Sequence, residues 1–298
     1  MSHERIGDVL RVQGNLADAL QSYRAAHAIS ERLAKSDASN TGWQRDLSVS
    51  HNKIGDVRTT QGDLAGALQS YLAALAIRER LAKTDPGNAG WQRDLSVSHK
   101  RIGDVQRAQG NLEEALQSSR AARIIRERLT KADPSNAGWQ RDLSASQERI
   151  GDVQKARGKF AGALKSYRAA RAISKRLAIA DPSNVRWQRG LSVSHNKVGD
   201  VQRTQGNLEE ALQSFRAARA IRERLTNADP SNAGWRADLA SSHGNLGQVL
   251  VRMGERNKAL DMFRKGRAIV APLAERSKNV FWKKYVDSFD RDIRRLTK

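Results

Sequence analysis

The sequence predicts an all-α fold, a solenoid of stacked αα-hairpins, and three observations predict it. Tryptophan recurs at Trp43, Trp91, Trp139, Trp187 and Trp235, each 48 residues after the last, and Trp282 follows after 47. In the same frame fall Ile6-Gly7-Asp8, Ile54-Gly55-Asp56, Ile102-Gly103-Asp104, Ile150-Gly151-Asp152, Val198-Gly199-Asp200 and the divergent Leu246-Gly247-Gln248. The composition, 39% hydrophobic with 5% aromatic and 29% charged residues, suits amphipathic helices better than the strands of a β-sandwich. A period of this length marks a repeat architecture in which one supersecondary unit stacks on the next.

The elements follow in order within one unit. Asp85-Pro86-Gly87-Asn88 is a turn, because proline fixes φ and the other three residues favour turns and helix caps. Trp91, Leu95, Ser98, Ile102 and Val105 then recur at spacings of three and four and share one face of a helix, here helix A. Gly110 stops that helix, and Asn111 with Glu114 three residues on reads as the capping box of helix B. Helix B buries Leu112, Ala115, Ser119, Ala122, Ile125 and Leu129 before the next turn at Asp133-Pro134. Neither apolar stripe can be covered within one hairpin, so neighbours must stack. Tyr23, Tyr71, Tyr167, Phe215 and Phe263 give bulk at one repeated site, where the third unit has only Ser119 and looser packing is expected.

The order Ile54-Gly55, Gly62, Ala67, Tyr71 and Ala74 resembles the tetratricopeptide-repeat signature of small and large residues, and it recurs over nearly the whole chain. The unit is longer than usual for that family and is similar to its long-repeat bacterial members. The resemblance implies a right-handed superhelix whose concave groove is lined by helix A of each repeat and receives a partner peptide or helix. It departs from the family in placing histidine or glutamine where an aromatic is common early in helix A.

The repeats are expected over residues 1–272, about five and a half units, with a capping helix over 273–298. Pro272 is expected to kink or end the last helix B early. Trp282, Tyr285, Phe289, Ile293 and Leu296 then share a face, with Lys283, Lys284, Arg291, Arg294 and Arg295 on others, as in a terminal cap. At the other end Met1-Ser2-His3 aligns with Val49-Ser50-His51, inside a helix A, so the chain reads as a fragment or a misplaced start of a longer polypeptide.

Several function classes are excluded. With no cysteine there is no disulfide framework, thiolate metal site or cysteine nucleophile. No apolar run is long enough to span a bilayer and no signal peptide precedes the repeats, so membrane insertion is not expected and a cytoplasmic location is. No phosphate-binding loop, nucleophile and base pair or metal-ligand cluster occurs, so no enzyme, catalytic residue, cofactor or metal is expected.

The net charge of +21 is uneven, with 11 basic against 3 acidic residues over 145–192 and 14 against 6 over 241–298. The basic residues from Lys155 to Arg176 and the C-terminal region are therefore the alternative site, for nucleic acid or another polyanion. The leading expectation is a protein-binding scaffold. Its aspartate row, Asp8, Asp56, Asp104, Asp152 and Asp200, has Arg11, Arg107, Lys155 and Arg203 three residues after all but Asp56, at ion-pair spacing within a helix. Four residues before the aspartates stand Asn52, Lys100, Glu148 and Asn196, which vary between repeats and would set specificity. His3, His51, His99, His195 and His243 form a further row read as packing, because successive repeats hold them about 10 Å apart, too far to share one ion. Arg120, Arg123, Arg126 and Arg128, and likewise Arg216, Arg219, Arg222 and Arg224, read as the solvated outer face of helix B.

Overall fold

A computed structural model describes residues 2–276 and 280–297. Met1, on which the reading of a truncated start rests, lies outside the described residues, as do 277–279 and Lys298. Among the described residues there are thirteen helices and no strand. They fall into two compact units, Met1–Arg157 and Gly158–Lys298.

The first unit holds α1 (His3–Val12), α2 (Leu16–Ser36), α3 (Thr41–Gln61), α4 (Leu64–Thr84), α5 (Ala89–Ala108), α6 (Leu112–Ala132) and α7 (Ala137–Ala156). Each packs chiefly on the next in sequence, which makes a stack of antiparallel hairpins. The odd-numbered helices are the helix A of each repeat. Asn40, Asn88 and Asn136 cap α3, α5 and α7 by accepting from the backbone N–H of Trp43, Trp91 and Trp139 at 3.0 to 3.1 Å. At the far end of α3, Gly62 adopts φ 84°, left-handed backbone that a side chain would strain, and the chain reverses into α4. The expected capping box at Asn111 is not formed, since its side chain makes no cap bond. The tight turn already uses its N–H, which donates to Gln106 O at 2.9 Å.

Small clusters between successive hairpins make up the core. Ala19 and Tyr23 of α2 meet Ile54 and Val57 of α3, and Ala67 and Tyr71 of α4 meet Ile102 and Val105 of α5. Within a hairpin the tyrosine ring lies against a glycine, and a Cβ on Gly55 would stand 2.5 Å from Tyr71 Cε1. Gly103 instead faces Ser119 Oγ, Ser118 Cβ and the Ala115 carbonyl, each 3.3 Å from its would-be Cβ. The would-be Cβ of Gly103 thus has more room than that of Gly55, in line with the looser packing expected at Ser119, although Ser119 itself stays buried.

The second unit holds α8 (Phe160–Ala180), α9 (Val185–Gln205), α10 (Leu208–Ala228), α11 (Ala233–Arg252), α12 (Arg256–Arg276) and α13 (Val280–Thr297). Here the odd-numbered helices α9 and α11 are again helix A. Pro272 does not end α12, which runs on to Arg276 and matches the other B helices at 21 residues. Four residues of the helix follow the proline. The final helix therefore starts at Val280 and not at 273. It covers the stack through Phe289, 3% exposed, whose ring lies on Gly266, with Tyr285, Val286, Ile293 and Leu296 beside it. Lys283, Lys284, Arg291, Arg294 and Arg295 stay exposed.

Candidate functional site

In the first unit the A helices are clasped by their aspartates. Asp8 accepts from Tyr23 Oη and Lys53 Nζ, both at 2.6 Å. Asp56 accepts from Tyr71 Oη at 2.7 Å and pairs with Arg101. Asp104 has no phenol opposite it and takes Arg149 Nε at 3.0 Å and Lys100 Nζ at 3.5 Å. Each clasping cation, Lys53, Arg101 or Arg149, comes from the next A helix, 45 residues on, and not from the residue three positions along the same helix. Adjacent A helices lie side by side at about 10 Å, which a long cationic side chain spans. Burial raises the Asp8 carboxyl, but the hydrogen bonds from Lys53 and Tyr23 outweigh it and hold the group below the usual range. Tyr23 moves the other way, to about 12, through burial and its bond to Asp8.

These clasps form the wall of a cleft of about 660 Å³. Of the expected residues, Asp56, Lys100, Asp104, Arg107, Glu148 and Asp152 all line it. Asn52 does not, because it is buried, and Lys155 is exposed outside it. Arg11 of the same cation row lines it too, as do Arg101 and Arg149, which the sequence reading does not include although a cation stands at 53, 101, 149 and 197 of the sequence. With five cations and four carboxylates, this surface is polar and nearly balanced in charge. The Lys100 charge is poorly supported. Burial, then the Arg149 guanidinium, push it below the ordinary lysine range, and Asp104 only partly offsets them.

The arginine ladders of helix B are not uniformly solvated. Arg120, Arg128, Arg216 and Arg224 are exposed, and Arg123 and Arg219 pair with Glu127 and Glu223. Arg126 and Arg222 are only 4% and 5% exposed, as is Arg78 at 5%. Arg126 donates to Ser96 Oγ at 3.2 Å, Ser146 Oγ at 2.9 Å and the Asp142 carbonyl at 3.0 Å. Arg78 repeats this with Ser48, Ser98 and Asp94, and Arg222 with Ser192, Ser242 and Asp238. The guanidinium is drawn inward because rows of small serines leave room for it and supply acceptors.

The histidine row is packed among the helices. His27 Nδ1 meets Ser50 Oγ at 2.9 Å, and the His27 and His51 rings are 4.4 Å apart. Among the described residues no group of three or more His, Asp or Glu side chains is arranged to hold a metal ion. Burial lowers His51, His195 and His243 to about 4. An unfolded histidine titrates near 6.5, so between these values the unfolded chain binds the extra protons. The histidine contribution to stability is therefore complete above pH 6.5 and lost as pH falls towards 4. Substituting all three by glutamine, the residue the chain has at Gln147, is expected to flatten the fall in melting temperature between pH 7 and 4.5 followed by circular dichroism. Equal slopes for both proteins would contradict this.

In the second unit Asn196, with its amide carbonyl turned to the guanidinium, accepts from Arg222 at 2.7 and 2.5 Å. Asp200 pairs with Arg203 at 3.1 Å, three residues on, as the sequence led one to expect. Position 245, the clasping position for this aspartate, holds Asn245 and no cation. On α8, which has no acidic residue, Lys165, Arg168, Lys175 and Arg176 are exposed. No described helix is long and apolar enough to cross a membrane.

The comparisons with known proteins agree with this geometry. Residues 190–271 match the family model described as tetratricopeptide repeat. The structure of BtubC (BKLC) from P. vanneervenii is similar, with TM-score 0.68, 20% identity, and coverage of 89% of this chain and 94% of that one. A Podosopora anserina putative kinesin light chain with nearly identical TPR-like repeats gives TM-score 0.57 at 14% identity, covering 77% of this chain and 96% of that one. A Rap protein complexed with competence and sporulation factor gives TM-score 0.54 at 12% identity, covering 99% and 75%. No curated protein matches the chain in sequence.

Proposed function

We propose that this chain of tetratricopeptide repeats is a non-catalytic scaffold, acting in the cytoplasm, that holds a partner peptide or helix along the A helices of its first unit. The observation that carries this reading is the cleft of about 660 Å³, where Lys100 and Glu148, which differ between repeats, stand among the repeated aspartates and arginines. A rigid, already clasped surface needs little ordering on binding, so affinity is not spent on folding the receptor. The balanced charge of the lining favours a partner segment of mixed charge over a polyanion. The similar Rap protein, solved with a bound factor, supports the same reading. Asn196, Asp200 and Arg203 are proposed to play the equivalent part on the second unit. None of the comparisons supports a nucleic-acid role for the basic residues of α8, so that alternative is not carried forward.

The test is selection of a random peptide library on the immobilised chain, followed by affinity measurement with Lys100→Glu and Glu148→Lys. Each charge reversal is expected to weaken the selected peptides by about 10-fold, equivalent to about 1.4 kcal/mol. The reading fails if no peptide is enriched, or if the enriched peptides bind both variants as well as the parent.

A further inference from the structure

The last helix junction of the second unit breaks the clasping pattern at every position at once. Gln248 stands where the other repeats have aspartate, and Val251 where Arg11, Arg107, Lys155 and Arg203 stand. Phe263 brings no phenol. In α13, in the frame set by Trp282, Asp292 falls on the position of the clasping cations and Arg295 on that of the aspartates. The polar clasp is thereby replaced by a pocket of about 510 Å³ between α9, α11, α12 and α13. Phe263, Val251 and Leu296 contribute its apolar lining, and Arg203, Arg252 and Arg295 its cations.

The charge of this pocket is one-sided. Asp292 is its single carboxylate, and burial raises that group above the ordinary range. Arg203 donates to Gln248 Oε1, and Arg252 donates to the Arg203 carbonyl, which anchors both guanidinium groups at the rim. Val251 remains 42% exposed, so apolar surface is open to an incoming group. A volume of this size accommodates one large side chain with its flanking backbone.

We propose that this pocket is a second binding site, which takes a bulky apolar side chain flanked by carboxylates from an acidic partner peptide. The apolar side chain rests on Phe263, Val251 and Leu296, and the carboxylates meet Arg252 and Arg295. The proposal does not depend on the cleft of the first unit.

The experiment uses the full chain and a fluorescein-labelled Glu-Asp-Phe-Asp-Glu peptide in fluorescence anisotropy. The Arg252→Glu/Arg295→Glu variant, altered only at exposed residues, is expected to bind at least about 10-fold more weakly, as is a peptide with serine for phenylalanine. A peptide with lysine in place of its acids is expected not to bind, and Arg120→Glu on the exposed face of α6 to leave affinity unchanged. Val251→Arg installs a residue the chain itself uses at this place and is expected to abolish the preference for phenylalanine over serine. Equal binding by the parent and the double variant, or no binding to either, overturns the proposal. So does capture of dodecanoate without the peptide, which would assign the pocket to a lipid. Self-association of the chain that the double variant abolishes would assign it to a second copy and equally overturn it.

Discussion

Arg126→Ala is expected to destabilise the first unit by about 3 kcal/mol, whereas Arg126→Met costs about 1 kcal/mol or less. The difference follows from who depends on whom in the buried network. Ser96 Oγ also donates to the Arg93 carbonyl at 2.8 Å, and Ser146 Oγ to the Asp142 carbonyl at 2.9 Å. Both hydroxyls therefore keep a partner when the guanidinium is removed, so little is left unsatisfied. What alanine loses is volume, because a side chain 4% exposed disappears from between two hairpins. Methionine refills most of that volume. It also removes a charge whose burial is already unfavourable, since desolvation brings the Arg126 pKa down to about 10, against the pull of Asp142. Urea unfolding of the two variants measures both values. If methionine proves as costly as alanine, the arginine acts through its hydrogen bonds and charge and not through packing.

Gly55→Ala is expected to cost about 3 kcal/mol, and Gly103→Ala about 1 kcal/mol. The added methyl on Gly55 would stand 2.5 Å from Tyr71 Cε1 and 2.8 Å from Cδ1, which forces the ring away. That ring cannot move alone, because its hydroxyl is held by Asp56 at 2.7 Å and its other face lies among Ala67, Ile102 and Val105. At Gly103 the same methyl meets three atoms at 3.3 Å, a misfit that shifts of a few tenths of an ångström relieve. Alanine's better helix propensity, about 0.8–1 kcal/mol over glycine, offsets part of the cost at both sites. Denaturant midpoints of the two variants give the comparison, and equal losses would show that the tyrosine does not set the hairpin spacing.

The hairpins were legible because their signals are local and repeated. Turn chemistry at Asp85-Pro86-Gly87-Asn88 and the three and four spacing of Trp91 to Val105 need no knowledge of the neighbouring repeat. The candidate site was legible only in part. Asp56, Lys100, Asp104, Arg107, Glu148 and Asp152 line one cleft, since residues four and three apart share a helix face. The pairing of those groups was not legible, because the choice between a cation three residues away and one 45 residues away depends on how closely A helices stack. Arg126 was misread for a related reason. An arginine in a ladder along helix B reads as solvated until the serines on two other helices are seen to make room for it. The pocket at α13 was hidden because it arises from substitutions scattered over three helices, each unremarkable alone.

Partner recognition is proposed to lie on the A helices of the first unit, while the B helices serve to stack them. The most direct measurement is amide hydrogen exchange of the full chain with and without a peptide selected from the random library. Added protection is expected along α3, α5 and α7, centred on Lys100, Asp104 and Glu148, with α4 and α6 unchanged. Protection confined to α4 and α6 would contradict the claim and move the binding surface to the arginine-bearing B helices.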